Sequence, residues 1–450
     1  MKVSLKVVEG PHEGLCFEFE NHDNFIVGRS PKAHFRLPAK DKTLSRFHFM
    51  VEVNPPFCRL IDMASRNGTF LNGQPVSVAG LSDGDEIRGG DTKFRVDIEN
   101  FGTDLLIDPK DQWISVPQKV SELVRPEHPG DELEDGANRQ GDIKEPEIKT
   151  IGHYQVIKEL GRGGMGIVYK ARHQSAGRID AVKTITPAVS GSEMVVARFL
   201  REVGILRRLN HPNIVKFREF GHDHGKLFLA MEYISGTNAS SLRKRAGGRL
   251  PVSLAVEIAC QSLDAIAYAH DHGFIHRDIK PRNLLVSRKG DQVEVKVADF
   301  GLARIYQNSP MSGLSFTGEI AGTSGYISPE QVTDFRSTAP FADQYALAAT
   351  LYHLICGQKI YDFPPNLARQ LLMILQEEPV PIQQPMPSVP DDLAKAIHQA
   401  LARNPSDRYP DTLSMRQALD PFRMQPPSVD SSSKDCIEDG ESDQQPPLHL

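Results

Sequence analysis

At 450 residues the chain is too long for one compact core and is expected to hold two or three domains. Its 24% charged and 39% hydrophobic residues exclude overall disorder, and a net charge of −6 argues against nucleic acid or an anionic membrane as the main partner. No apolar run approaches the roughly 18–20 residues that span a bilayer, and five dispersed cysteines without a C-x-x-C support neither a disulfide framework nor a zinc ribbon. The opening MKVSLKVVEG lacks the apolar stretch of a secretory signal, so the expected compartment is the cytoplasm, with no membrane span.

In chain order, residues 1–100 carry period-two alternation in Val3-Leu5-Val7, Leu15-Phe17-Phe19 and Phe47-Phe49-Val51-Val53. Turn signals punctuate them at Gly10-Pro11, Pro55-Pro56, Asn67-Gly68, Asn72-Gly73 and Asp83-Gly84, which predicts an all-β sandwich. Residues 101–152 are acidic, net −6, and 125–149 are poor in large apolar groups, so they read as a linker. Residues 153–234 are mostly strand-like, with one helical stretch that includes Glu202. From 235 to 424 the pattern turns helical, as in SLAVEIACQSLDAIAYAHDHG. The segment 153–424 is net +6 and the tail 425–450 is net −5 and reads as disordered.

Three loop clusters of the first domain offer cations and short hydrogen-bonding groups: Gly28-Arg29-Ser30, Ser45-Arg46-Phe47-His48 and Arg66-Asn67-Gly68. Arginine pairs bidentately with phosphate oxygens, and Ser or Asn adds neutral donors. The ordered set G-R, S-x-x-H, N-G over about residues 2–97 resembles a forkhead-associated (FHA) domain, a reader of phosphothreonine peptides. The resemblance implies that Arg29, Ser45 and Arg46 hold the phosphate. It gives Asn67 the peptide backbone, Arg66 the phosphate or flanking residues, and Gly28 and His48 a bracing role.

The second domain opens with Gly161-Arg162-Gly163-Gly164-Met165-Gly166-Ile167-Val168, a G-x-G-x-x-G-x-V. It runs on as a strand, so the glycines tip a hairpin rather than open a helix. Ala181-Val182-Lys183, Glu202, His276-Arg277-Asp278-Ile279-Lys280-Pro281-Arg282-Asn283, Asp299-Phe300-Gly301 and Ser328-Pro329-Glu330 follow in order. The set resembles the serine/threonine protein kinases, bacterial-type members above all, over about residues 154–423. The chain is therefore expected to be multidomain: an FHA-like sandwich followed by an α+β bilobal kinase fold, with lobes 153–234 and 235–424.

The resemblance implies ATP and Mg²⁺ (or Mn²⁺) as cofactors. Asp278 would orient the acceptor hydroxyl, Lys280 neutralise the γ-phosphate, and Asn283 and Asp299 hold the metal. Lys183, aimed by Glu202, would hold the nucleotide phosphates beneath Gly161, Gly163 and Gly166. Leu160, Val168 and Ala181 above and Leu285 below would enclose the adenine, with Met231 as gatekeeper. Asp343 would brace the catalytic-loop backbone and Arg408 pair with Glu330. Arg277 implies control by activation-loop phosphorylation, with Thr317 the first candidate, then Ser315, Ser312 and Thr323, and Ser309 also in the loop. The implied partners are protein substrates with Ser or Thr acceptors and phosphothreonine peptides; a homodimer through the kinase domain is also admitted. The competing readings are a pseudokinase scaffold acting through the first domain, and a small-molecule kinase. The complete catalytic set opposes the first, and the P-E and G-T-x-x-Y motifs oppose the second.

Overall fold

The computed structural model describes residues 2–20, 23–37, 41–54, 57–99, 150–163, 166–185, 207–223, 226–290, 292–300, 324–333 and 339–424. Glu202, Ser309, Ser312, Ser315, Thr317 and Thr323 lie outside the described residues.

The first domain is two β-sheets. One runs β2 (Cys16–Glu20), β1 (Lys2–Glu9), β11 (Thr92–Glu99), β10 (Glu86–Gly89), β7 (Thr69–Leu71), β8 (Gln74–Val76). The other runs β4 (Phe35–Arg36), β3 (Asp23–Gly28), β5 (Phe49–Asn54), β6 (Phe57–Asp62), β9 (Val78–Gly80). Alternation along the strands sends Val3, Leu5 and Val7 from one sheet, and Val27, Phe49, Val51 and Leu60 from the other, into a shared core with Phe94. Leu15 does not continue the alternation of Phe17 and Phe19. It sits in the turn before β2 and is exposed. The hairpin between β7 and β8 turns on Asn72 and Gly73, both at positive φ (48° and 81°), as a two-residue turn requires.

The second domain begins at Thr150, which opens β12 (Thr150–Ile151) opposite Gln155 of β13 (Tyr154–Gly163). Its sheet runs β12, β13, β14 (Gly166–His173), β15 (Ile179–Ile185), β17 (Lys226–Glu232), β16 (Phe217–Asp223). Strands β13 and β14 form the glycine hairpin, closing on the pair Gly163–Gly166. The register slips twice, leaving Ile157 and Leu160 as the extra residues of two bulges; both side chains are exposed. Gly166 is fixed by backbone approach: a Cβ there would stand 1.8 Å from the Thr184 carbonyl oxygen, at φ +134°.

The helical lobe follows: α1 (Ala239–Arg245), α2 (Val252–Asp271), α3 (Pro329–Thr333), α4 (Phe341–Cys356), α5 (Leu367–Gln376), α6 (Asp391–Ala400) and α7 (Thr412–Leu419). Asn238, Asn366 and Asp411 cap α1, α5 and α7 with side-chain oxygens that accept a first-turn N–H. A three-stranded sheet of β18 (Thr237–Asn238), β19 (Leu284–Lys289) and β20 (Gln292–Val297) flanks the catalytic loop. Among the described residues α2 alone is long and apolar enough to cross a bilayer, and 67% of its apolar window is buried in the lobe, where it packs against α4, α7 and β20.

Candidate functional site

The loop between α2 and β19 brings the H-R-D-x-K-x-x-N residues together. Asp278 carries the centre. Lys280 Nζ lies 3.0 and 2.9 Å from its two carboxylate oxygens. Asn283 Nδ2 donates to the Asp278 carbonyl at 2.7 Å and to its carboxylate at 3.2 Å. A short 3-10 turn at Pro281–Asn283, with Pro at its start, sets this spacing. The Ala298 N–H donates to the Asn283 carbonyl at 2.8 Å, bringing the residue before Asp299 against Asn283.

Asp299 sits at positive φ (60°), and its Oδ1 accepts from Lys183 Nζ at 3.1 Å. Burial works against its charge, but the Lys183 charge and hydrogen bond, with Lys280 and His276 nearby, together hold the carboxyl below its ordinary range. Among the described residues no group of three or more His, Cys, Asp or Glu gathers around a metal-sized space. Asn283 and Asp299 instead offer two hard oxygens. This is the donor set of a small divalent cation that fills its shell from phosphates and water, so the residues fit the implied metal.

The bracing comes from Asp343, buried on α4. Its Oδ2 accepts the His276 N–H and pairs with His270 Nε2, each at 2.8 Å, while its Oδ1 accepts the Arg277 N–H at 2.8 Å. Burial opposes its charge, but the His270 hydrogen bond and charge, with His276 and its backbone N–H, hold its pKa down. His276 reaches across to the Ala298 carbonyl and lies against the Phe300 ring. Arg408 pairs bidentately with Glu330 at 2.6 and 2.8 Å.

The glycine hairpin and the β15–β17 pairing frame the nucleotide side. Val168 pairs with Lys183, and Ala181 with Met231. Met231, Leu229, Phe300 and Asp299 line a small cleft behind that strand. Gly161 has open space at its Cβ position, unlike Gly166. Leu285 stands on β19, two residues past Asn283.

Two groups escaped the sequence reading. Gln331 Nε2 donates to the Arg277 carbonyl at 2.9 Å, tying α3 to the catalytic loop. His270 is the other. It lies in an apolar helical pattern, and only its fall opposite Asp343, 73 residues away, gives it a role.

In the first domain Ser45 is the hub of the loops. Its carbonyl accepts the Arg29 N–H at 3.1 Å, its Oγ accepts the Arg66 N–H at 2.9 Å, and its own N–H donates to His48 Nδ1 at 3.0 Å. His48 is buried and its Nε2 meets the Gly68 carbonyl at 3.1 Å, so the neutral tautomer protonated on Nε2 satisfies both contacts. Burial lowers its pKa, which favours that form. A Cβ on Gly28 would stand 2.3 Å from the Arg46 carbonyl oxygen, so the loops close only on glycine. Arg29 Nε is anchored on the Leu44 carbonyl, and Asn67 Nδ2 on the Thr43 carbonyl at 2.8 Å. Arg46 and Arg66 are exposed.

The geometry agrees with what the chain is similar to. The family model described as protein kinase domain matches residues 154–420, and the one described as FHA domain matches residues 25–90. Serine/threonine-protein kinase PknF of Mycobacterium tuberculosis (strain H37Rv) is 35% identical over 275 residues, covering 61% of this chain and 57% of that one. Serine/threonine-protein kinase pkn3 of Myxococcus xanthus is 35% identical over 279 residues, covering 60% and 50%. The chain thus spans about half the length of these relatives. The crystal structure of the Mycobacterium tuberculosis PknI kinase domain is 29% identical with a TM-score of 0.48, covering 61% of this chain and 97% of that chain.

Proposed function

The chain belongs to the protein kinase family, and on that premise we propose that it transfers the γ-phosphoryl group of ATP to serine and threonine hydroxyls of proteins, its own activation segment included. The observation that carries this reading is the cluster of Asp278, Lys280 and Asn283 beside the Lys183–Asp299 pair.

The acceptor hydroxyl donates to the Asp278 carboxylate, which orients it and takes its proton as the new bond to the γ-phosphorus forms and the bond from that phosphorus to the β,γ-bridging oxygen breaks, releasing ADP. Lys280, already against Asp278, neutralises charge on the transferred group. Lys183 binds the nucleotide phosphates, and Asn283 and Asp299 would hold the divalent ion, Mg²⁺ or Mn²⁺, which when bound would supply positive charge against the phosphates. Lysine in the H-R-D-x-K-x-x-N run supports Ser/Thr acceptors.

The first domain, on this reading, binds phosphothreonine peptides. Arg29 is held on the Leu44 carbonyl and Arg46 on the neutral Gln376 side chain, so these contacts leave both positive charges for an anionic ligand. Ser45 Oγ accepts from Arg66 and keeps its own O–H to donate to a phosphate oxygen. The domain recruits phosphorylated substrates or the chain's own phosphorylated loop.

The test is incorporation of labelled phosphate from ATP and Mg²⁺ by the full chain beside Asp278→Asn, with sites mapped by mass spectrometry. Label on Ser or Thr in the wild type alone is expected. No label on either chain or on a generic acceptor would put the pseudokinase reading first.

A further inference from the structure

The second sheet of the sandwich has an apolar inner face, and its outer face carries an apolar patch beside the Glu52–Arg59 ion pair. Val27, Phe49, Val51 and Leu60 fill the inner core. On the opposite face Ile26 pairs with Met50 and Met50 with Ile61 across β3, β5 and β6, and Met63 follows two residues on. An FHA-like sandwich standing alone would leave that face to water. Here Ile26, Met50 and Met63 are 0% exposed and Ile61 is 2% exposed. Their burial belongs to the second domain: they are contiguous with the apolar cluster of the helical lobe rather than with the sandwich core. Helix α3 lies against β3, and at the rim Arg46 Nη2 donates to Gln376 Oε1 on α5 at 3.0 Å.

We propose that the outer face centred on Ile26, Met50 and Ile61 is a docking surface for the chain's own helical lobe, received by α3 and α5. The occupant is argued from continuity of the buried cluster, from the Arg46–Gln376 bond, and from the tether. About fifty residues join Glu99 to Thr150, so the two domains belong to one chain and their meeting is intramolecular. An apolar patch of this kind on a free domain marks an interaction site.

Docking there has a chemical address. Helix α3 carries Glu330, which Arg408 clamps, and Gln331, which holds the carbonyl of Arg277 next to Asp278. The first domain therefore leans on the helix that braces the catalytic loop, so docked and undocked chains differ in how firmly that loop is held. This holds whether or not the Ser45 loops bind phosphothreonine.

Methionine oxidation tests it on the full wild-type chain. Met424 is 40% exposed and serves as an internal reference. Under dilute hydrogen peroxide, Met50 and Met63 are expected to oxidise at least tenfold more slowly than Met424, equally at low and high protein concentration. Rates equal to that of Met424 would overturn the proposal, as would protection that appears only at high concentration, which assigns the face to a second copy. The second arm is amide exchange of residues 329–333 and 367–376 in full-length Ile61→Arg. Undocking by the new charge, or by loss of the sandwich altogether, is expected to speed exchange in α5 about tenfold. Unchanged exchange in both helices would overturn the proposal whether or not that variant keeps its first domain folded.

Discussion

Asp343 Oδ1 accepts the N–H of Arg277 at 2.8 Å, and Arg277 itself sits at φ 67°, in the left-handed region. A non-glycine residue held there costs about 1–3 kcal/mol and persists only when its surroundings over-determine it. The carboxylate supplies that constraint, since its other oxygen takes the His276 N–H and His270. Asp343→Asn would face an NH₂ group toward at least one of these donors. The expected result is a fall in turnover on the order of 10²-fold, because Asp278 loses its position, with nucleotide affinity nearly unchanged. Turnover and a nucleotide titration on the same preparation check it.

Arg408 is buried and forked onto Glu330, with further bonds to the Ala402 and Phe341 carbonyls. Arg408→Ala strands the partly buried carboxylate and two backbone carbonyls at once and is expected to destabilise the second domain by about 3–5 kcal/mol. Arg408→Lys should recover only part of this, since an ammonium cannot fork. Urea midpoints of the two variants, and of the pair with Glu330→Gln, measure the coupling.

His353 is pushed down to about 4 by burial first, then by the Arg243 and Lys359 charges, and its Nδ1 meets the Tyr326 hydroxyl. The folded protein thus binds this proton less readily than the unfolded chain, whose histidine titrates near 6.5. Between those values the unfolded state holds more protons, so stability falls with acid from about pH 6.5 to pH 4, by up to roughly 3 kcal/mol from this group. His48 and His398, also lowered by burial, act in the same direction. Thermal midpoints across this range should fall, and His353→Gln should flatten the slope. Asp299 and Asp343 are lowered carboxylates, and their stabilisation is lost only at lower pH, as they protonate.

Arg46 cannot give the same guanidinium edge to Gln376 and to a phosphate. On the proposed phosphothreonine reading, Gln376→Ala is expected to tighten a phosphothreonine peptide by roughly two- to fivefold, the worth of one exposed hydrogen bond. Arg46→Ala should weaken it by about tenfold or more. Fluorescence anisotropy with the full chain distinguishes the two.

The legible parts of this protein were those whose spacing is local. Asn72-Gly73 reads as a hairpin turn because the turn needs positive φ at both residues, and the glycine hairpin closes on Gly163–Gly166. Asp278, Lys280 and Asn283 are near neighbours in sequence, and the loop brings them together. What stayed hidden depended on long separations. Nothing about His270 or Gln331 announces its partner. Nor did Gly166 look like a packing residue, although the Thr184 carbonyl excludes any side chain there. Of the alternation Phe47-Phe49-Val51-Val53, the last three face the inner core from β5, but Phe47 lies before the strand and joins the outer cluster with Met50. A period of two marks one apolar face, so an apolar patch on the other face of the same strand leaves no such signal.

The two bulges of β13 constrain how long that strand can be. Each places one extra residue on β13 without disturbing the pairs around it: Val156 and Lys158 meet the adjacent Ala171 and Lys170, and Glu159 and Gly161 meet the adjacent Tyr169 and Val168. The ten residues of β13 thereby meet the eight of β14 with Gly163 still opposite Gly166. Loss of Ile157 or Leu160, singly or together, would leave every remaining pair and its facing intact and remove only the local bend that each bulge introduces. These two positions are therefore where β13 can shorten without disturbing its hairpin.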